Sequence, residues 1–267
     1  MDKIGTSNHR SLVGRRVLVT GASRPRGIGA AIAAHCARSG AAVLLHGYSS
    51  YDVDRGYADS KSGSTKALAQ ELTDEGLAAL ALPDSDLEST DAPAEVFRNI
   101  GSRAMFVDGL VLNHAYSTHR ELGAWTAEHI DHHLHVNVRA SMLLIQQFAA
   151  QLPADKEGAV VLLTSGQYLG PMVGEMAYAV SKEAVRCLCS QAAAGLASRR
   201  IRVNCVNPGP TDTGHLEGES WEAGRRLFPT GRWGLPTDAA RLVIFLLSAD
   251  ASWITGQTIA SDGGFRR

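Results

Sequence analysis

The sequence predicts a single α/β domain built on a doubly wound parallel sheet. Three observations predict it. Short apolar runs alternate with helical patterns along 267 residues. The runs are β-branched or leucine-rich on both faces, as in strands covered by helices on each side. The first run passes directly through a glycine cluster into a helix, which is the entry to a Rossmann-type nucleotide fold.

In chain order, Arg16–Thr20 (RVLVT) reads as a strand, and the alanine-rich Ile28–Ser39 as a helix ended by Gly40. Ala42–His46 is a second strand. Thr65–Glu75 has helical spacing, and Ala78–Leu82 is strand-like. Ala92–Ile100 is a helix, followed by the strand Gly109–Asn113. One long helix covers Ala124–Ala150. The strand Ala159–Thr164, the helix Glu175–Ser198 and the strand Ile201–Val206 come next. Asp238–Ser248 is a helix and Thr258–Ala260 a last short strand. Repeated β-α units imply right-handed crossovers within one sheet. No repeat or interdomain linker appears. Residues 1–14 read as a disordered tail and 15–267 as the catalytic domain. Gly47–Gly63 and Pro208–Pro236 are irregular, polar and glycine- or proline-rich. Both follow strands, where ligands of such sheets bind, and the second is the expected substrate loop.

Composition excludes several classes. A net charge of −1 with 20% charged residues offers no broad basic surface for nucleic acid or anionic lipid. No apolar run is long enough to span a bilayer, and the N-terminus lacks the apolar core of a secretory signal. Cys36, Cys187, Cys189 and Cys205 fit neither a zinc nor a CxxC spacing, and read as reduced, packed thiols of a cytoplasmic protein. His129, His132, His133 and His135 cluster without a supporting ligand shell, so a solvated or subunit-facing helix surface is expected and no metal.

The glycine cluster reads Gly21-Ala-Ser-Arg-Pro-Arg-Gly27-Ile-Gly29. Glycines let the backbone approach a pyrophosphate, and the helix start supplies free N–H groups and a positive dipole end. Ser23 and Ile28 lie in the same loop. An NAD site places an acid at the end of the second strand for the ribose 2′-hydroxyl. Here that region reads LLHGYSSYD, with His46, Ser49 and Ser50 present and the first acid, Asp52, late. Arg24 and Arg26 stand in the loop and attract a 2′-phosphate. NADP(H) is the expected cofactor, with Arg24 the main 2′-phosphate ligand, a role that His46 and Ser49 could share and in which Arg26 or Arg55 could replace it.

Tyr178 and Lys182 are spaced i, i+4 in a helical pattern, so phenol and ammonium share a face. A nearby Lys⁺ lowers a phenol's pKa from about 10 and suits it to general acid/base work. Ser165 ends the strand AVVLLTS and is placed to polarise a carbonyl oxygen. Asn113 ends another strand. Asn137 sits mid-helix, where it is a poor helix former and a polar role is expected. Asn207-Pro208-Gly209-Pro210-Thr211-Asp212-Thr213 sets a rigid turn beside the site.

TGASRPRGIG, NHAY, Asn137, Ser165, YAVSK, NPGPTDT and WITGQTIASDGG together resemble the short-chain dehydrogenase/reductase family, in its compact single-domain branch, from about Arg15 to Gly264. The resemblance implies roles. Gly21, Gly27 and Gly29 cradle the dinucleotide. Asp86 and Leu87 meet the adenine, and Asn113 and Ala115 support the cofactor. Asn137 holds a water that relays protons to Lys182, and Ser165 orients the carbonyl. Tyr178 exchanges the proton, while Lys182 binds ribose hydroxyls and depresses the phenol's pKa. Thr211 and Thr213, with Pro208 and Gly209, fix the nicotinamide end. The implied activity is reduction of a 3-oxoacyl thioester, free or carrier-bound, or of a polyketide-like ketone. A homodimer or homotetramer is implied through the apolar helices SMLLIQQFAA and AVRCLCSQAAAGLA.

The chain departs from the family in three places. Five residues, not three, separate Gly21 from Gly27. Asn113-His114-Ala115-Tyr116 replaces Asn-Asn-Ala-Gly, so Tyr116 is expected to narrow the site. The segment after the second strand is long. Two other functions compete. An enoyl-thioester reductase uses a tyrosine pair, which Tyr168 and Tyr178 could mimic, but needs its lysine seven positions after the second tyrosine, and position 185 is Val. A non-enzymatic dinucleotide sensor has no need of Ser165, Tyr178 and Lys182 together.

Overall fold

The computed structural model describes residues 11–103, 105–214 and 218–265. Seven strands form one parallel sheet: β1 (Arg16–Thr20), β2 (Ala42–Leu45), β3 (Ala79–Ala81), β4 (Gly109–Leu112), β5 (Gly158–Leu163), β6 (Ile201–Asn207) and β7 (Thr258–Ala260). Their order is β3-β2-β1-β4-β5-β6-β7. The chain therefore winds outward one way from β1, then crosses back to β4 and winds the other way. The crevice between the carboxyl ends of β1 and β4 is the point where such folds bind ligands.

Alternation along the strands makes two cores. Val17 and Val19 of β1 face one side of the sheet, with Ile32, Ala33 and Cys36 of α1 (Ile28–Arg38) and Val243 and Leu246 of α9 (Pro236–Leu247). Leu18 faces the other side, with Val96 and Phe97 of α4 (Ala92–Gly101), Leu144 and Phe148 of α6 (Ala140–Gln151), and Val185 and Cys189 of α7 (Met176–Leu196). Strand runs apolar on both faces are thus explained by helices on both faces. Gly40 closes α1 at φ +98°, and a Cβ there would lie 2.8 Å from Val13 Cγ2.

The structure revises several expectations. Residues 1–10 of the expected tail lie outside the described residues. Residues 11–14 form a turn, with Leu12 fully buried and its N–H donating to the Ser39 carbonyl at 3.0 Å. The single helix expected over Ala124–Ala150 is α5 (Ala127–His133), a π-helical stretch Leu134–Arg139, and α6. Two short helices stand inside the segments read as irregular: α2 (Ser49–Asp54) and α8 (Gly218–Arg225). The remaining helix is α3 (Ser64–Asp74). Cys36, Cys189 and Cys205 are buried thiols, but Cys187 is exposed on α7. No helix among the described residues is long and apolar enough to cross a membrane.

Candidate active site

A cleft of about 400 Å³ opens at the carboxyl edge of the sheet. Five strand ends contribute directly: Gly21 after β1, His46 after β2, Asn113 after β4, Leu163 and Thr164 at β5, and Pro208 after β6. The glycine loop adds Ser23, Arg24, Gly27 and Ile28, the end of β3 leads to Asp86 and Leu87, and Ala115, Tyr178, Lys182 and Thr213 complete the expected set on its wall.

Other expected residues shape the cleft from behind. Gly29 packs α1 on the loop so closely that a Cβ would lie 2.2 Å from the Gly21 carbonyl oxygen and 2.5 Å from Asn113 Nδ2. Gly21 holds φ +67°, and Asn113 Nδ2 donates to its carbonyl at 2.8 Å. Gly209, at φ +63°, turns the chain where a Cβ would strike Asp262. Thr211 is buried in a bridge to Gly234. Asn137 is buried in the π-helical stretch. Its Nδ2 donates to the Tyr116 carbonyl (2.9 Å) and to Ser181 Oγ (2.8 Å), and its Oδ1 accepts the Tyr116 N–H (2.7 Å). Its carboxamide thus clamps the loop after β4, a task the expected relay role did not include.

At the catalytic end, Tyr178 lies on the cleft wall with the Ser165 hydroxyl beside it. Burial pushes the phenol up to about 12, against the lowering effect of that hydroxyl. The expected depression by Lys182 is not what the geometry yields. The Lys182 ammonium is 5.8 Å from the ring centroid and donates to the Leu163 carbonyl at 2.9 Å. Burial brings Lys182 itself down to about 8.

At the opposite end, the free N–H groups of α1 face the loop with no side-chain cap and no acid in the first turn. His46 is 1% exposed and its Nε2 meets Ser85 Oγ at 3.0 Å, while its Nδ1 has no partner among the described residues. Burial lowers it to about 4. Ser49 Oγ is likewise buried and unpaired. Glycines at contact distance, an uncapped helix start and orphaned polar atoms at the end of β2 fit a dinucleotide.

Arg24 is not free for a 2′-phosphate. Its Nε and Nη2 donate to Asp59 Oδ1 (3.1 and 2.8 Å), Nη2 also donates to the Thr213 carbonyl (2.7 Å), and Cζ lies 3.9 Å from the Tyr57 ring centroid. The pairing balances the charge on which the expected role depended. Asp52, discounted as too late in the chain, lines the cleft because α2 turns it back onto Ser23, whose Oγ donates to it at 2.5 Å.

Sequence motifs also missed Tyr48, Tyr51, Tyr57, Glu88 and His132 on the cleft wall; the one signal for the three tyrosines was the tyrosine-rich run after the second strand. Tyr116, as expected, narrows this end, its ring 5.6 Å from Tyr51 and 5.2 Å from His132 between centroids. The histidines do not form the solvated face expected. His129 and His133 are buried beside Thr118, and His132 Nδ1 lies 2.6 Å from Glu88. His114 is buried too: its Nε2 donates to the Val136 carbonyl (3.1 Å) and Nδ1 faces Thr20 Oγ1 (2.7 Å).

Residues 21–266 match the family model described as enoyl-(acyl carrier protein) reductase. An uncharacterized oxidoreductase of Bacillus subtilis, YjdA, is 34% identical over 94% of this chain and 96% of its own. A short-chain dehydrogenase/reductase structure from Serratia marcescens superposes with a TM-score of 0.84 at 30% identity, covering 96% of this chain and 100% of that one. A 3-oxoacyl (acyl-carrier-protein) reductase from Agrobacterium tumefaciens, solved with NADP bound, superposes with a TM-score of 0.83 at 32% identity over 98% of both chains.

Proposed function

The chain belongs to the short-chain dehydrogenase/reductase family, and on that premise we propose that it transfers a hydride between NADP(H) and a ketone or secondary alcohol, with Tyr178 as the acid/base. The observation that carries the reading is the placing of Tyr178 and the buried Lys182 together on the cleft wall at the carboxyl edge of the sheet, with Lys182 tied to the Leu163 carbonyl.

The bound nicotinamide supplies the hydride. Gly21, Gly27 and Ile28, with the start of α1, hold the pyrophosphate; Asp86, Leu87 and Ala115 hold the adenine end; Pro208 and Thr213 hold the nicotinamide end. NADP is the cofactor seen in the Agrobacterium relative. His46 and Ser49 bring the unpaired atoms that receive the 2′-substituent. A phenol held near 12 keeps its proton at neutral pH, so Tyr178 enters reduction as the acid. Ser165 orients the carbonyl oxygen toward it. Lys182 holds the ribose hydroxyls and returns a proton toward Tyr178, and Asn137 holds in place the loop that borders them.

The matched family model is described by C=C reduction, but the site favours carbonyl chemistry. Tyr168, the other tyrosine of an enoyl-reducing pair, is bonded by Asn207 Nδ2 at 3.3 Å and lies under Arg186. Its hydroxyl is thereby tied to the end of β6. The protein acts in the cytoplasm as a homo-oligomer, a reading supported by four uncrosslinked cysteines and by apolar side chains left exposed on the paired helices: Met142 on α6 and Val180 on α7.

The test is turnover of NADPH by purified protein against a 3-oxoacyl thioester, a bulky polycyclic ketone and an enoyl thioester. Consumption with either ketone and none with the enoyl substrate is expected. Turnover of the enoyl substrate alone contradicts the reading.

A further inference from the structure

The stretch from Tyr48 to Gly63 meets the glycine loop at Ser23, Arg24 and the Arg26 N–H. Ser23 Oγ donates to Asp52 Oδ2. Asp59 Oδ1 takes two bonds from Arg24, and Asp59 Oδ2 takes the Arg26 N–H at 2.9 Å. The Tyr57 ring lies against the guanidinium. From there Arg24 reaches the Thr213 carbonyl on the far side of the cleft, and Arg26 Nη2 comes within 4.0 Å of Asp212 Oδ1.

A guanidinium held by a carboxylate, an aromatic face and a carbonyl has one orientation, and the side chains of Arg24 and Asp59 are only 14% and 13% exposed. Burial alone would raise the Asp59 carboxyl. The Arg26 N–H and the Arg24 guanidinium outweigh it and hold that group below the usual carboxylate range. The loop needs such an anchor. Five residues separate Gly21 from Gly27, and a longer loop has more conformations to lose on ordering.

We propose that Asp59 is a positioning residue of the dinucleotide site: through Arg24 and the Arg26 N–H it fixes the long glycine loop and joins it to Thr213 across the cleft. The proposal rests on the dinucleotide reading above. Binding of NADPH and of NADH then depends on Asp59 to the same degree, and the choice between them does not. Arg24 serves as the strut of this joint, not as a ligand of the 2′-phosphate.

The experiment is fluorescence titration of NADPH and NADH against wild type, Asp59→Ala, Asp59→Glu, Arg24→Ala and the Ala/Ala double variant, with thermal unfolding of each. Asp59→Ala is expected to weaken both cofactors about tenfold, the size of one lost charge-assisted contact, and to leave their ratio unchanged. The double variant binds no more weakly than Arg24→Ala, because the two residues act through one joint, and Asp59→Glu recovers part of the loss. If Asp59→Ala does not fold, the isosteric Asp59→Asn carries the same comparison. Wild-type affinity in a folded Asp59 variant overturns the proposal. So does a loss in Arg24→Ala confined to NADPH, which would make the guanidinium a phosphate ligand. A wild type that binds neither dinucleotide overturns the functional reading and the proposal with it.

Discussion

His46 ends β2 as a buried imidazole, and its titration ties the site to stability. In the unfolded chain it takes a proton below about 6.5; in the fold burial defers that to about 4. Between those values the unfolded state binds the extra proton, so stability falls as pH falls through that window. A shift of this size corresponds to about 3 kcal/mol. His114, brought down to about 3 by burial and by the charge of Lys182, pulls the same way. Thermal unfolding of wild type should therefore show a Tm that drops from pH 6.5 to pH 4, and His46→Gln should flatten the slope. An unchanged slope in that variant removes His46 from the account. Lys182 works from the alkaline side. Its folded value of about 8 lies below the unfolded 10.5, so the cost of burying its charge is present below 8 and is relieved as pH rises through that interval.

At the scale of elements, the β1–loop–α1 unit is held by contact distances that a single methyl group breaks. Gly29→Ala keeps a helical backbone, yet its Cβ would meet the Gly21 carbonyl oxygen at 2.2 Å. The expected cost is about 1–3 kcal/mol of stability together with lost dinucleotide affinity. A Tm and a titration equal to wild type would contradict the close packing. This unit was legible in the sequence because its demands are local: glycines at fixed spacing between a strand and a helix. The Tyr178–Lys182 pair was legible for the same reason, being one turn apart. The break at Leu134–Arg139 was not. Apolar spacing continues through it, and what the π-helical stretch positions, Asn137 against Tyr116 and Ser181, lies 21 and 44 residues away. Asp52 was discounted and Asp59 passed over because their contacts with the glycine loop depend on how α2 and the following turns fold back. Distance along the chain, the measure by which Asp52 was set aside, carries no such information. Arg24 shows the same limit. Its charge was visible in the sequence, but its neutralising partner stands 35 residues on.

Over the whole molecule, the helices packed on the sheet leave apolar side chains in solvent. Met142, Val180, Phe245 and the 98% exposed Trp253 lie outside both cores. Light scattering at micromolar protein should give a dimer or tetramer, and Met142→Glu with Val180→Glu should reduce its mass; a wild-type monomer would contradict this. The same architecture sets one cleft at the strand ends, with the dinucleotide parts on β1 to β4 and the proton-handling parts on β5 and α7. In the proposed function this second group performs the chemistry. Replacing Tyr178 by Phe removes one hydroxyl and leaves the cofactor wall intact. The decisive measurement is NADPH consumption with a ketone substrate by Tyr178→Phe, alongside NADPH titration of the same variant. Affinity near wild type with turnover reduced by at least about a hundredfold is the predicted result. Turnover equal to wild type would contradict the account.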